Sequence, residues 1–312
     1  EARSMKKYKH LFGPVPSRRF GRSLGVDLTP HKTCNFDCIF CQLGRTTLKT
    51  MDRREYVPVE EVIEELGDWI ESSGEADYIT LSGSGEPTLH SHFDEVIEFA
   101  RKASSIPVAL LTNGALLGNA GVRAAASKAN VVKVSLSAGN PDSFKYINRP
   151  HPDLVFEDVI AGMQAFREEF SGQLWLEVFM IWGVNSTQKE VLQIAELAQS
   201  IQPDRIQLNT AVRPPAKGFV HPIPKEKLEQ LVDYFTPKAE VIAEFSSDFT
   251  PSTKANEETI LAMLQRRPCT AKEISAVLGL HPNEVSKYIG KLERTNRIHS
   301  ESAKDGSYYT AP

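Results

Sequence analysis

Short apolar runs rich in β-branched residues alternate with amphipathic helical patterns along most of the chain. Strands and helices that alternate in this way form right-handed βαβ units around a parallel sheet. Six such units are too few to close an eight-stranded barrel. We therefore predict an α/β fold, a partial (β/α)6 barrel over residues 26–245, with Val241–Phe245 as an added edge strand. The six main predicted strands are Gly25–Leu28, Tyr78–Leu81, Val108–Leu111, Val131–Leu136, Leu174–Ile181 and Arg205–Leu208.

The composition changes after the predicted barrel. Residues 246–256 are rich in Ser, Thr, Asp and Pro, which is typical of a linker. Three helical patterns follow, at Glu257–Gln265, Ala271–Leu278 and Asn283–Asn296, and then two short strands around a Lys-Asp-Gly turn. We predict a winged helix-turn-helix domain over residues 257–312 and an N-terminal extension over residues 1–25. We expect the four residues before Met5 to be a cloning remnant.

Composition places the chain among ordinary globular proteins. It has 312 residues, of which 41% are hydrophobic and 24% charged, with a net charge of −4. It has no apolar run near the roughly 20 residues of a membrane span, and we see no signal peptide. Three of the four cysteines fall within eight positions, which does not make a disulfide framework in a chain of this size. We predict a cytoplasmic protein without a membrane partner.

The three clustered cysteines are the strongest chemical signal. Cys34, Cys38 and Cys41 are spaced by three and then two residues, directly after the first predicted strand. Three thiolates in one loop can hold three irons of a four-iron cluster, since such clusters are held by cysteine thiolates. The fourth iron then stays open to an external ligand. The loop lies at the carboxyl end of the predicted barrel, where such folds place their chemistry.

Two other interpretations of these cysteines are open. With His31 they would make a Cys₃His zinc site, and the protein would then be a zinc-stabilised nucleic-acid-binding regulator without catalysis. The second interpretation is three unrelated buried thiols, although their spacing argues against coincidence. Zinc sites usually contain two CxxC-like pairs, and this chain has only one such cluster.

The spacing CxxxCxΦC, with Phe40 before the last cysteine, resembles the signature of the radical S-adenosylmethionine (radical SAM) superfamily. The resemblance implies a [4Fe–4S] cluster on Cys34, Cys38 and Cys41, with SAM on the open iron and Phe40 near its adenine. It also implies an enzyme that reductively cleaves SAM to methionine and a 5′-deoxyadenosyl radical, which acts on a substrate that the sequence does not identify. A one-electron reductant such as flavodoxin or ferredoxin is the implied partner.

Further segments match the same superfamily in chain order. Ser82–Thr88 resembles its GGEP-type motif, whose backbone meets the methionyl amine; glycine there permits close approach to a ligand. Thr112–Gly114 resembles its TNG segment. Ala138 stands where many relatives carry Asp, which leaves the ribose contact open. Each segment taken alone is also typical of an ordinary loop after a strand. The predicted cofactor-binding residues are Phe40, Gly83, Ser84, Gly85, Glu86, Asn113, Ser135, Ser137 and Asn209.

Residues 13–26 resemble a segment found in a poorly defined branch of the superfamily, loosely grouped with wyosine-synthesis-like proteins. The tRNA enzymes that form wyosine carry a second cluster, which the one remaining cysteine, Cys269, cannot build. Arg18, Arg19 and Arg22 are candidate contacts for a phosphate or carboxylate of the substrate, or else members of surface ion pairs.

Alternation along the fifth predicted strand places Trp175, Glu177 and Phe179 on one face. If that face is inward, the Glu177 carboxylate is a candidate catalytic group for proton transfer or substrate contact. A surface position or a structural ion pair is the alternative.

The predicted winged helix leaves its own partner open. Its third helix carries Lys287, Lys291, Arg294 and Arg297 against Glu284 and Glu293, which is only mildly basic. Since phosphate neutralisation dominates affinity for nucleic acid, binding of DNA or tRNA is one option, and a tRNA-modifying radical SAM enzyme is the corresponding alternative function. Docking of a protein partner, or simple cover of the barrel, are the others.

Overall fold

The computed structural model describes residues 8–72, 74–242, 257–265, 267–278, 280, 282–303 and 306–311. The predicted linker and the residues before Met5 lie outside these ranges. Within them, no helix is both long and apolar enough to cross a bilayer.

In the described part of the chain, thirteen strands form three sheets. In chain order they are β1 (Leu11–Ser17), β2 (Gly21–Val26), β3 (Thr33–Cys34), β4 (Leu48–Lys49), β5 (Tyr78–Leu81), β6 (Val108–Thr112), β7 (Val131–Ser135), β8 (Gln173–Met180), β9 (Arg205–Thr210), β10 (Glu240–Val241), β11 (Cys269–Thr270), β12 (His299–Ala303) and β13 (Gly306–Thr310). The central sheet has eight strands in the order β1-β2-β5-β6-β7-β8-β9-β10. From β2 to β10 all neighbours are parallel, and only β1 runs antiparallel.

Helices connect the parallel strands and cover the sheet. They are α1 (Val59–Glu71), α2 (Phe93–Ala103), α3 (Ala120–Ala126), α4 (Pro141–Ile147), α5 (Phe156–Glu169), α6 (Gln188–Ile201), α7 (Lys225–Leu231), α8 (Glu257–Leu264), α9 (Ala271–Leu278) and α10 (Pro282–Arg294). Short 3₁₀ turns occur at Pro87–Leu89 and Val232–Tyr234. The helices bury apolar stripes of helical spacing, as α1 does with Val62, Leu66 and Trp69. The α/β fold class and the parallel sheet are therefore as predicted.

The N-terminal region differs from the prediction. Residues 1–25 were predicted to be an N-terminal extension, yet β1 and all but the last residue of β2 lie there. The sequence pattern did not predict β1 because the strand contains Pro14 and Pro16, and proline is typical of turns and sheet edges. β1 is indeed the edge strand, and its Phe12 pairs with Gly25 of β2. The first parallel strand accordingly ends at Val26 and not at Leu28.

The C-terminal region contains three helices and a hairpin, plus the short strand β11, which the sequence pattern did not predict. β11, β13 and β12 form an antiparallel sheet beside the helices. Its core includes Ile260, Leu264, Ile289 and Leu292, and it also takes in Val15 from β1. The region is therefore packed directly against the first strand of the barrel sheet. Its assignment as a winged helix stays a prediction.

Candidate functional site

The cysteine loop begins at β3, which pairs with β4 so that Cys34 lies opposite Lys49. Each of the three sulfur atoms faces at least one N–H donor, and hydrogen bonds to sulfur stabilise the thiolate form that iron binds. The donors are the Phe36 amide and Asn113 Nδ2 at 3.4 and 3.6 Å from Cys34, Asn148 Nδ2 at 3.5 Å from Cys38, and Lys32 Nζ at 3.0 Å from Cys41.

Burial acts against these donors when no metal is bound. It raises the pKa of Cys34 to about 12, with the Glu86 carboxylate adding to the shift. Burial also raises the pKa of Cys38 above its usual range. A bound metal replaces the thiol proton, so the N–H donors then serve a negative sulfur. The donor set fits the thiolate ligands of an iron–sulfur cluster.

The zinc alternative needs several ligands that converge on one ion. In the described ranges, no group of three or more His, Cys, Asp or Glu side chains is assembled closely enough to hold a single metal ion. This also holds for the thiols of Cys34, Cys38 and Cys41. A four-iron cluster makes a different demand, because each thiolate binds a different iron.

The glycine-rich segment after β5 packs against the cysteine loop. An added Cβ at Gly85 would lie 1.9 Å from the carbonyl oxygen of Thr33 and 2.6 Å from Thr29 Oγ1. An added Cβ at Gly83, whose φ is +138°, would lie 2.6 Å from the Asp27 carboxylate. Glycine is therefore required here for close approach within the protein, which the sequence pattern had assigned to a ligand. Both glycines also line the cavity described below.

Glu86 joins two of the predicted segments. Its buried carboxylate accepts hydrogen bonds from Thr112 Oγ1 at 2.6 Å, Thr88 Oγ1 at 2.7 Å and the Asn113 amide at 2.8 Å. Burial raises its pKa, and these donors oppose the shift. Asn113 in turn donates to Asn35 Oδ1 at 2.6 Å, beside Cys34. Glu86 thus positions the residues around the cysteine loop.

A cavity of about 370 Å³ opens beside the loop, a volume in the range of small-molecule sites. It brings most of the predicted residues together. Those that line it are Arg18, Arg19, Phe40, Cys41, Gly83, Gly85, Ser135, Ser137, Glu177 and Asn209. Five predicted residues lie outside the lining: Cys34, Cys38, Ser84, Glu86 and Asn113. The Ser84 hydroxyl instead donates to Asp27 at 2.5 Å.

The predicted Phe40 ring stacks on Phe179, with ring centroids 4.1 Å apart and planes within 11°. Both rings line the cavity. Ile39, Ile181 and Val220 support them from behind. The pair makes a flat apolar wall directly before Cys41.

Glu177 is the centre of a buried ion-pair network. Its carboxylate accepts hydrogen bonds from Arg19, from Lys133 Nζ at 2.6 Å and from Asn209 Nδ2 at 2.7 Å. Burial by itself would raise the pKa of Glu177, but the Arg19 and Lys133 charges outweigh it and hold that pKa below its usual range. The carboxylate is therefore ionised and fully engaged at neutral pH. This geometry favours the ion-pair alternative for Glu177 over a proton donor.

The three arginines after β1 divide between two environments. Arg22 makes exposed ion pairs with Asp77 at 2.9 Å and Glu75 at 3.0 Å, so it does not contact the cavity. Arg19 is held by Glu177. Arg18 is partly buried, and its Nη1 donates to the carbonyl of Ile242 at 2.8 Å.

Sequence reasoning missed three cationic residues in the cavity wall: Lys133, Arg213 and Arg267. Lys133 had a usable signal, because it is the one charged residue in the otherwise apolar run Val131–Val134. Arg213 follows β9 in a proline-rich loop, and Arg267 lies between α8 and β11. Neither of these two has a pattern that points to the cavity.

Comparison with known proteins agrees with this geometry. A family model described as the radical SAM superfamily matches residues 28–198. The chain is 32% identical over 274 residues to UPF0026 protein MJ1312 of Methanocaldococcus jannaschii, which is 86% of this chain and 85% of that protein. It is 35% identical over 305 residues to a protein named GTPase Obg from Brachyspira hyodysenteriae, of which it spans 45%.

Among solved structures, TYW1 with a lysine-pyruvate adduct bound has a TM-score of 0.51 at 17% identity. The match covers 73% of this chain and 76% of that one, and it shows a shared fold. The cysteine motif, the parallel sheet and the family match agree with one another. The chain belongs to the radical SAM superfamily and is an enzyme.

Proposed function

We propose that the protein holds a [4Fe–4S] cluster on Cys34, Cys38 and Cys41 and reductively cleaves SAM to a 5′-deoxyadenosyl radical that acts on an organic substrate. The observation that carries this proposal is the set of three sulfur atoms in one loop, each faced by an N–H donor, with Cys41 of that loop lining the cavity. When bound, the cluster supplies the electron and an open iron for SAM.

The chain's own residues position the cofactor and exclude water. The stacked rings of Phe40 and Phe179 offer a flat face for the adenine. The backbone around Gly83 faces the cavity without a side chain in between. Ser135, Ser137 and Asn209 supply polar groups for the ribose and the methionyl part. We propose that a flavodoxin or ferredoxin delivers the electron.

The tRNA alternative depends on free positive charge in the C-terminal region. Two of the four basic residues near α10 are already paired. Lys291 lies 2.5 Å from Glu257, and Arg297 lies 3.0 and 3.2 Å from Glu257 and Glu258. Met263 and Arg267 of the same region line the cavity. We therefore propose that this region covers the substrate site, and we do not favour a nucleic-acid reader.

The test is anaerobic reconstitution of single cysteine variants. Cys34→Ala, Cys38→Ala and Cys41→Ala should each lose the brown colour and the iron and sulfide content of about four per chain. They should also lose the formation of 5′-deoxyadenosine from SAM with a chemical reductant. Cys269→Ala is the matched control, because its thiol is buried in the C-terminal core, away from the loop. A complete cluster in any of the first three variants would overturn the proposal, and a colourless zinc protein would favour the regulator instead.

A further inference from the structure

One part of the cavity wall is formed by three arginines from distant parts of the chain. Arg18 follows β1, Arg213 follows β9, and Arg267 comes from the C-terminal region. Contacts hold this region against the barrel: Tyr308 donates through its hydroxyl to the carbonyl of Val212 at 2.7 Å, and Arg213 Nη2 pairs with Glu273 at 2.8 Å. We call Arg18, Arg213 and Arg267 the arginine cluster.

The arginine cluster has buried donors that the protein does not use. Nε of Arg213 and both Nε and Nη2 of Arg267 are shielded from solvent and have no hydrogen-bond partner among the described residues. The Arg213 side chain is only 9% exposed. Buried polar groups in proteins are nearly always hydrogen-bonded. Both residues line the cavity, so unused donors beside it favour a ligand that accepts hydrogen bonds.

The charge of the cavity points the same way. The only carboxylate among its described lining residues is Glu177, against five cationic side chains: Arg18, Arg19, Lys133, Arg213 and Arg267. Glu177 is already engaged by Arg19 and Lys133. Burial, followed by repulsion from Arg19 and Arg213, lowers the pKa of Arg18 to about 10. Arg213 also pairs with Glu273, so Arg18 and Arg267 are the like charges that an anion in the cavity would stabilise.

We propose that the arginine cluster binds a phosphate group of the substrate, so that the enzyme acts on a phosphorylated compound. This inference rests on the proposed function for the reaction itself. The Nε and Nη2 edge of a guanidinium donates two parallel hydrogen bonds to phosphate oxygens, and this is the edge that Arg267 leaves free. A phosphate monoester carries a charge of about −1.5 to −2 at neutral pH, which matches several cations better than one carboxylate does.

The test uses the full chain with its cluster reconstituted and SAM present. Calorimetric titration compares three probes of similar shape: phenyl phosphate, benzoate and the neutral benzyl alcohol. Phenyl phosphate should bind, at least tenfold more tightly than benzoate, and benzyl alcohol should not bind. Arg267→Gln should weaken phenyl phosphate binding at least tenfold. Lys272→Gln, which removes an exposed cation of α9 outside the cavity, is the matched control and should bind as the wild type does.

A second variant protects the test against misfolding. Arg18→Gln, on the barrel side, should weaken phenyl phosphate binding to a similar degree. In both variants the affinity for SAM and the SAM cleavage without substrate should fall by less than the affinity for phenyl phosphate does, since these two readouts report the proposed function separately.

Three results would overturn the phosphate assignment. The first is equal binding of benzoate and phenyl phosphate. The second is phenyl phosphate binding that neither variant changes. The third is a loss of SAM affinity as large as the loss of probe affinity, which would mean that the arginines serve the carboxylate of the cofactor.

Discussion

The two sides of the cavity differ in how their buried charges are neutralised. On the barrel side, Arg19 and Lys133 both pair with the carboxylate of Glu177, which also accepts from Asn209, and Arg19 Nε is the one buried donor of this network without a partner among the described residues. On the side that the C-terminal region completes, Arg213 and Arg267 keep buried N–H groups without partners among the described residues. The paired network stabilises the scaffold by itself. In the arginine cluster, Arg213 is paired with Glu273, whereas Arg18 and Arg267 form no ion pair among the described residues. An anion in the cavity would supply the missing counter-charge, which separates a structural use of buried charge from a binding use.

Breaking the paired side should have the largest effect on stability. Glu177→Gln leaves Arg19 and Lys133 buried without their counter-charge, and the loss of one member of a buried ion pair typically costs about 3–5 kcal/mol. We expect a loss of that size in the free energy of unfolding, measured by urea denaturation. Glu196→Gln on α6 is the control, because Glu196 is exposed. A loss below about 1 kcal/mol would mean that the network is not what holds this side together.

The loss of stability in Glu177→Gln should also depend on pH. Because the pKa of Glu177 is held below its usual range in the folded protein, its ionised form stabilises the fold above the unfolded pKa of about 4.3. This contribution is lost as the pH falls towards the lower folded pKa. The stability difference between the wild type and Glu177→Gln should therefore narrow from pH 5 to pH 3. A difference that stays constant over this interval would contradict the ionic account.

Overpacking at Gly85 sharpens the comparison on the barrel side. Its added Cβ would meet the Thr33 carbonyl, one residue before Cys34. Gly85→Val should therefore displace the cysteine loop, lower the stability by about 1–3 kcal/mol and reduce the iron content after reconstitution. Gly218→Val is the control, since an added Cβ there meets no atom within 4 Å. Full iron content in a stable Gly85→Val protein would restore the view that Gly85 serves only SAM.

The smallest effect is expected where the C-terminal region meets the barrel. Tyr308→Phe removes the hydrogen bond to the Val212 carbonyl, beside Arg213, and should cost about 1 kcal/mol. Thermal unfolding of the full chain measures it, with Tyr146→Phe as the control, because Tyr146 is 52% exposed. An unchanged melting temperature for Tyr308→Phe would show that this contact does not hold the two regions together.

Local pattern predicted the sheet well, and it failed where structure depends on distant partners. The apolar run Tyr78–Leu81 is the strand β5 as observed, because a buried parallel strand is a continuous apolar run. β1 was missed because Pro14 and Pro16 break that pattern, although an edge strand tolerates proline. In the same way, β11 is only two residues long and carries no periodicity.

The same distinction between local pattern and distant partners applies to the residues of the candidate site. The cysteine spacing and the glycine-rich segment are local patterns. The sequence therefore predicted Cys41, Gly83 and Gly85, which the structure brings to one cavity. The partners of Glu177 are not local, since Arg19 lies 158 positions away and Lys133 lies 44 positions away. Arg267 reaches the cavity only because its region packs on β1. No periodic pattern within either segment encodes that contact.

The docking of the C-terminal region on β1 has a consequence for how the chain folds during synthesis. Arg18 bonds to Ile242, 224 positions later, and Val15 belongs to a core that includes Ile260. Translation proceeds at roughly 5–20 residues per second. The delay between the synthesis of β1 and that of these partners is therefore on the order of ten to fifty seconds. During that time the apolar side chains of β1 are exposed and can form incorrect contacts. The packing of β1 is therefore completed only after the C-terminal region has been synthesised.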